Sequence, residues 1–498
     1  MNQLKYFCNG QFVESTTEKY MDVYNPSTGE LLAQAPCCTE AEVLKAIEAA
    51  SAAFPAWRDT PAAKRQELFF KLRELIVKHE EELTDLIARE HGKVWKEAQG
   101  DLAKALEPTE YACNIANHMM GESFMDTSKG IDSVSYREPL GVFAGIAPFN
   151  FPAMIPVGWM APICIATGNT MVLKASSTTP LTTLRFAELY KEAGFPDGVF
   201  NVVTCSRNEA EILLKHKDVK GVSFVGTTGV GLHVYSTAAA HGKRVQAQTE
   251  AKNHGLVLKD APLARTAAGI ISAAFGCAGE RCMALPVIVA EEAIADQLVE
   301  ELVQQISKLK IGPAYDKGSD MGPVVTEKHR QSILKWIETG IAEGAKLVLD
   351  GRDVTVPGYE NGFYLGHTIF DHVTPKMSIG NREIFGPVLC IKRVKDFDEG
   401  LAVMNSSPFA NGSIIFTQSG YYARKFAKYT DGGMVGVNVP IPVPYGIFPF
   451  SGHKDSFFGD LHCVGKDGVR FFTETKCVTT RWFEEDELTQ TKLSGWGN

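Results

Sequence analysis

Apolar and polar positions lay out the elements of this chain before any residue is given a role. Thr39 and Glu42 stand at capping-box spacing ahead of VLKAIEAASAAF, whose apolar residues recur every three to four positions and predict a helix. A second amphipathic run predicts a helix over 62–79. From Gly141 the period changes. Short runs rich in valine, isoleucine and phenylalanine (GVFAGIA, TMVLK, GVFNVV, VKGVSFVG, GLVL) alternate with helical stretches, which predicts a parallel, doubly wound sheet. Another strand and helix series begins near Pro286 with PVIVAEEAIADQLVEEL and continues through EIFGPVLCIKRV and GSIIFT, predicting a second α/β domain with its boundary near Glu250. Residues 475–482 have strand character and predict an added edge strand able to pair with another subunit.

Length and composition narrow the class. A chain of 498 residues exceeds what one core supports, and about three domains are expected. With 45% hydrophobic and 22% charged residues the composition is that of a soluble globular protein, and a net charge of -9 gives no electrostatic reason to bind nucleic acid. The longest apolar passage, 143–165, is interrupted by prolines, glycines and Asn150, which argues against a membrane span. The opening MNQLKYFCNGQF has neither the apolar region of a signal peptide nor an arginine-rich amphipathic presequence, so a cytoplasmic location is expected. Eleven cysteines, odd in number and without framework spacing, point to reduced thiols, one of which can be reactive.

Three segments carry candidate chemistry. FGCAGERCMALP puts Cys282 after a glycine-rich stretch and directly after Arg281, whose charge can favour the thiolate. The pair with Cys277 lacks a second cysteine or histidine pair at ligand spacing, so no metal site is expected. PFNFP places Asn150 just beyond the strand GVFAGIA, where its amide could stabilise an oxyanion or merely satisfy a turn. FVGTTGVG follows a strand and opens a helix, a place where backbone N–H groups can take a pyrophosphate, although its glycine spacing is not the usual dinucleotide fingerprint. Lys174 and Glu383 also stand at strand ends.

In this order, these pieces resemble the aldehyde dehydrogenase superfamily along almost the whole chain. The strings GIAPFNFPAMIP, EAKNHGLVL, CAGERCMALP, EIFGPVL, VGVNVPIPVP and ENGFYLGHTI resemble most the methylmalonate-semialdehyde dehydrogenase group, its CoA-acylating branch. The resemblance implies a Rossmann-type cofactor domain (1–118 and 139–250), an α/β catalytic domain (251–450), and a small β oligomerisation element (119–138 and 465–498) of a homotetramer. It implies that Cys282 attacks the aldehyde while Asn150 and the backbone N–H of Cys282 hold the oxyanion. NAD is implied as cofactor, lying along Ala147, Phe149, Lys174, Ser177, Thr178, Thr227 and Thr249, with Glu383 on the nicotinamide ribose and Phe385 beside it.

Four departures from the family pattern bear on function. Hydrolytic members carry a glutamate four residues before the lysine matching Lys252; here that position is Gln248, and an amide cannot serve as general base. A thiol cosubstrate, CoA, is then the expected acyl acceptor. Glu250 stands where glycine is usual and offers the alternative, a carboxylate that restores water activation. Arg281 matches the group's carboxylate-binding arginine, whose forked donors suit that anion, while the second such arginine is replaced by Lys104, which keeps charge and loses bidentate geometry. Ser177 replaces the glutamate that grips the adenosine ribose, so NADP is a possible alternative. The resulting expectation is oxidation of an anionic semialdehyde to an acyl-CoA. The competing one is a hydrolytic NAD(P)-dependent dehydrogenase of another anionic aldehyde, such as a sulfonated one.

Overall fold

The computed structural model describes residues 2–483. Helix Glu40–Asp59 begins at the reciprocal capping box of Thr39 and Glu42, and helix Ala62–Lys78 follows it. His79 closes the second helix and opens Glu80–His91, so the predicted end at 79 is a helix-to-helix corner.

Two large sheets organise the molecule. In the first, eight-stranded sheet, five neighbours run parallel in the order Phe200–Val203, Thr170–Lys174, Val142–Ile146, Val219–Val225, Arg244–Gln248. Sequence order reverses between Val142–Ile146 and Val219–Val225. That reversal is the switch point at whose carboxyl side ligands bind in open α/β sheets. Antiparallel strands close both flanks, Tyr6–Cys8 against Phe200–Val203 and Phe457–Gly459 against Arg244–Gln248.

The second sheet has seven strands, ordered Lys346–Leu349, Thr368–Asp371, Val388–Val394, Val287–Glu291, His254–Val257, Gly412–Phe416, Met434–Val437, all parallel except the first. The chain crosses from one sheet to the other between Gln248 and His254. GLVL, assigned to the first series, falls in the second sheet instead: its first three residues belong to His254–Val257, which pairs with Val287–Glu291. A continuous apolar strand carries no mark of which sheet it joins. Arg244–Gln248 escaped notice for the opposite reason, since its glutamines are buried where alternation suggests exposure.

A third sheet is small and antiparallel. Thr473–Arg481 pairs along its whole length with Ile131–Pro139, which also pairs with Ser123–Ser128. The predicted edge strand is thus paired within its own chain on one side and open on the other. Residues 484–498, included in the expected oligomerisation element, lie outside the described residues. Among the described residues no helix is long and apolar enough to cross a membrane, and no cluster of metal-ligating side chains occurs.

Candidate active site

Asn150 sits at the switch point, four residues past Val142–Ile146, and is held from two directions. Its backbone oxygen accepts from the Lys93 ammonium at 2.7 Å, and its side-chain nitrogen donates to the Glu280 carbonyl at 3.2 Å. Lys93 is fully buried against Asp101 (2.9 Å) and over the Phe151 ring (3.8 Å). Asp101 also accepts the N–H of Met154, the first residue of a π-helical turn, Met154–Met160. Removing one partner of such a buried pair costs about 3–5 kcal/mol, so Lys93 and Asp101 fix this loop firmly. One amide N–H of Asn150 is used on Glu280, and the second has no partner among the described residues.

The loop before Cys282 is unusual in its backbone. Cys277 and Ala278 adopt left-handed φ values of 51°, and Gly279 has φ 76° with a built Cβ only 2.2 Å from the Gly386 carbonyl oxygen, so only glycine fits there. Left-handed non-glycine residues cost about 1–3 kcal/mol each, and the surroundings must enforce them. They do so through Glu97, whose carboxylate accepts the Cys277 N–H at 2.8 and 2.9 Å. Beyond the bend, the carbonyl of Cys282 is pinned by the side-chain amides of Asn253 (2.9 Å) and Asn411 (3.3 Å), which precede two strands of the second sheet.

Burial, followed by the charge of Glu383, pushes the Cys282 thiol up to about 12, and Arg281 opposes this only weakly. Arg281 does lower it, as expected from its charge, but burial outweighs that pull. The reason is geometric. The Arg281 guanidinium turns to Glu97 (2.9 Å), the Cys277 sulfur (3.2 Å) and the Ser272 carbonyl (3.2 Å).

Cys282, Arg281 and Lys104 line one cavity of about 880 Å³, walled also by Phe151, Ile271 and Phe275. Helix Trp95–Ala112 supplies Glu97, Asp101 and Lys104 at spacings of four and three, which places them on one helical face. Lys104 lies in a salt bridge with Glu107 (2.8 Å). Both cations expected to receive a substrate carboxylate are thus already paired with a glutamate.

The other side of the switch point carries the residues expected along the dinucleotide. Ala147 is buried, its N–H on the Lys174 carbonyl (3.0 Å), and Lys174 ends its strand with its ammonium lowered in pKa by burial. Ser177 is buried and Thr178 half-buried in the turn after Lys174. Thr227 is exposed at the start of helix Thr228–Ala240 with no side-chain cap, and open space surrounds Gly229 in the first turn. Thr249 instead spends its hydroxyl on the Asp455 carbonyl (2.6 Å) beneath that turn. Glu383 accepts the Ala251 N–H (3.1 Å), and burial raises its carboxyl to about 8. Phe385, at φ 59°, sets its ring edge-on to Phe149 at 5.9 Å. An open helix start, a carboxylate and two rings along one cleft fit a dinucleotide.

Gln248 is buried, and among the described residues neither amide atom has a hydrogen-bond partner. Glu250, the other candidate for activating water, places its carboxylate on the Thr228 N–H at 3.1 Å. Reading the sequence missed Glu97, the Lys93–Asp101 pair and a buried acid–imidazole contact behind Asn150. In that contact Glu280 lies 4.0 Å from His91 and 3.5 Å from His329, burial holding the acid well above and His91 well below its ordinary range. The shared face of Glu97, Asp101 and Lys104 was a usable signal; the partners of Glu280 had none.

A family model described as "Aldehyde dehydrogenase family" matches residues 12–478. The chain is 51% identical over 480 residues to malonate-semialdehyde dehydrogenase 2 of Geobacillus kaustophilus (strain HTA426), covering 96% of this chain and 99% of that protein. It is 50% identical, at the same coverage, to malonate-semialdehyde dehydrogenase 1 of Geobacillus thermodenitrificans (strain NG80-2). Among solved structures it superposes with a TM-score of 0.95 on a Sinorhizobium meliloti 1021 protein assigned as a methylmalonate-semialdehyde dehydrogenase and complexed with NAD, at 43% identity over 97% of this chain and 99% of that one. The methylmalonate-semialdehyde dehydrogenase of Oceanimonas doudoroffii gives the same TM-score at 44% identity, over 98% of this chain and 99% of that one.

Proposed function

The chain belongs to the aldehyde dehydrogenase family, and from that premise we propose that it oxidises a semialdehyde of the malonate or methylmalonate type with NAD and passes the acyl group to CoA. The names of relatives at about half identity support the substrate class. The observation that carries the choice of acceptor is Gln248, a buried amide where a general base would be needed to activate water. Glu250 is set at the start of helix Thr228–Ala240, its carboxylate on the Thr228 N–H, and is not among the residues lining the Cys282 cavity.

In this reading the thiolate of Cys282, its proton released to solvent, adds to the aldehyde carbon, and the free N–H of the Asn150 amide stabilises the oxygen that takes up the charge. The nicotinamide, when bound, supplies the hydride acceptor. The carbonyl then re-forms as a thioester on Cys282. The CoA thiolate attacks that thioester carbon, the bond to the Cys282 sulfur breaks, and the enzyme thiolate is regenerated. A substrate carboxylate β to the thioester leaves as carbon dioxide, its electron pair passing to the thioester enolate, which takes up a proton from water at the α-carbon. Arg281 and Lys104 hold this carboxylate by sharing their charge with Glu97 and Glu107. Thr227, Glu383 and Phe385 hold the dinucleotide, and the buried Ser177 faces its adenosine end.

The same reading takes 1–118 and 139–250 as the dinucleotide unit, 251–450 as the catalytic unit, and 119–138 with 465–498 as the oligomerisation element. A cytoplasmic homotetramer accords with free cysteines and with the apolar residues Phe124, Met125 and Val478 exposed on the third sheet. NADH formation with malonate semialdehyde, measured with and without CoA and with NADP in parallel, tests the proposal. Turnover that requires CoA and yields an acyl-CoA is expected. Equal rates without CoA would overturn the acyl-transfer step.

A further inference from the structure

A chain of polar contacts runs from the Asn150 amide to the Phe385 side of the cleft, and none of the roles above uses it. Asn150 donates to the main-chain carbonyl of Glu280 at 3.2 Å. The side chain of the same Glu280 turns to a different helix: its Oε1 accepts the Val325 N–H at 3.2 Å and lies 3.5 Å from Nε2 of His329. That nitrogen is 2.7 Å from the Phe385 carbonyl oxygen, which can only accept, so Nε2 carries the proton. Phe149 packs between the two ends, its ring 6.1 Å from the His329 ring and 5.9 Å from that of Phe385.

Phe385 depends on this contact. Its φ of 59° is left-handed, a conformation that a bulky residue keeps only when its surroundings enforce it. The bond from His329 is the one hydrogen bond to the Phe385 backbone among the described residues. Burial lowers the His329 pKa below its ordinary range, so at neutral pH the ring is uncharged and has a single N–H to give. Phe385 receives it.

His329 is set in place by its own helix. It stands in the first turn of Glu327–Ala342, with its backbone N–H on the Thr326 hydroxyl at 3.2 Å. One turn further on, Ile333 closes against Gly386, where a built Cβ would stand 2.5 Å from it. The Gly386 carbonyl in turn faces the bend before Cys282, since a Cβ on Gly279 would meet it at 2.2 Å. The helix that carries His329 thus abuts residues 385–386, and these abut the loop of the nucleophile. Contacts of this kind form one contiguous support under both halves of the reaction centre.

We propose that His329 is a positioning residue for hydride transfer: by holding the Phe385 carbonyl beside the same Glu280 that holds Asn150, it fixes the carbon bonded to Cys282 relative to the nicotinamide. The inference rests on the dehydrogenase reading above and adds what keeps the cofactor wall in register with the oxyanion amide. His329 acts through Phe385 and Glu280, so its loss should disturb the alignment of the two reactants rather than the binding of either.

The test uses the full-length protein with NAD and malonate semialdehyde carrying hydrogen or deuterium on the aldehyde carbon. It reads single-turnover NADH formation, the Kd for NAD, and the rate at which iodoacetamide alkylates Cys282. His329→Phe keeps a ring and removes the donor. It should slow NADH formation about tenfold, the contribution of one hydrogen bond, and raise the primary isotope effect, with NAD affinity and alkylation within about twofold of wild type. His329→Gln offers an amide N–H in place of the lost one and should bring the rate back to within about threefold of wild type. If His329→Phe does not fold, His329→Asn, whose shorter amide falls short of the Phe385 carbonyl, carries the same expectation. A donorless variant that transfers hydride at the wild-type rate, a loss shared equally by alkylation and NAD binding, or no recovery in His329→Gln overturns the inference and leaves the dehydrogenase reading standing. A wild type that forms no NADH overturns both.

Discussion

The two sides of the Cys282 cleft handle charge in opposite ways. On the aldehyde side Arg281 and Lys104 are each closed by a glutamate of one helix, so the cations are oriented before any substrate arrives. On the cofactor side the start of helix Thr228–Ala240 carries no side-chain cap from Thr227 among the described residues, and the carboxyl of Glu383 is held by a single backbone N–H. Pre-paired cations give position and selectivity at the cost of competition from their own partners. An uncapped helix start waits for a ligand that brings negative charge. A small anion that must be aligned to within a fraction of an ångström suits the first arrangement, and a large, flexible polyanion suits the second.

The largest effect should come from the residue that belongs to neither side. Asn150→Ala should slow oxidation of every aldehyde by about 10² or more, charged or not, in single-turnover NADH assays, because oxyanion stabilisation ignores the rest of the substrate. A loss confined to anionic aldehydes would make Asn150 part of the aldehyde-side charge pattern and break the contrast. Next in size, Arg281→Leu should lower kcat/KM for malonate semialdehyde about 30-fold, the worth of roughly 2 kcal/mol in a charge-assisted hydrogen bond, with propanal affected about threefold at most. Equal losses on both substrates would mean that Arg281 only braces the Cys277 bend.

The smallest effect concerns Glu383. Its carboxyl is raised to about 8, chiefly by burial, so it is protonated below that pH and becomes a full acceptor for ribose hydroxyls above it. Affinity for NAD, followed by fluorescence titration, should therefore rise by up to about tenfold between pH 7 and 9. Glu383→Gln should flatten that rise, and an unchanged profile in the variant would remove Glu383 from the cofactor side.

What could be read from the sequence was local. The capping box of Thr39 and Glu42 is a four-residue signal and is present in full. The strands around Asn150 and the bend before Cys282 were visible because apolar runs and clustered glycines are written in consecutive residues. The partners that give those residues their properties were not. Glu97 reaches Cys277 across 180 positions, and Lys93 reaches the Asn150 carbonyl across 57. Such contacts are decided by packing, which is also why Arg281 pulls on the Cys282 thiol less than its adjacency suggests: in sequence the guanidinium is next door, in space it faces Glu97. The strand His254–Val257 was visible as a strand and misplaced among sheets, since apolarity records burial and not neighbours.

The small third sheet has a consequence for how the protein is made. Ile131–Pro139 finds its full-length partner in Thr473–Arg481, more than three hundred residues further on. At synthesis rates of roughly 5–20 residues per second the first strand leaves the ribosome tens of seconds before the second exists. Through that interval its backbone donors and acceptors on that side stay unpaired, with Tyr136 on an open edge that invites pairing with neighbouring nascent chains. Truncating the chain before Thr473 would make that transient state permanent, so aggregation during expression, rather than loss of catalytic geometry, is the failure this connection builds in.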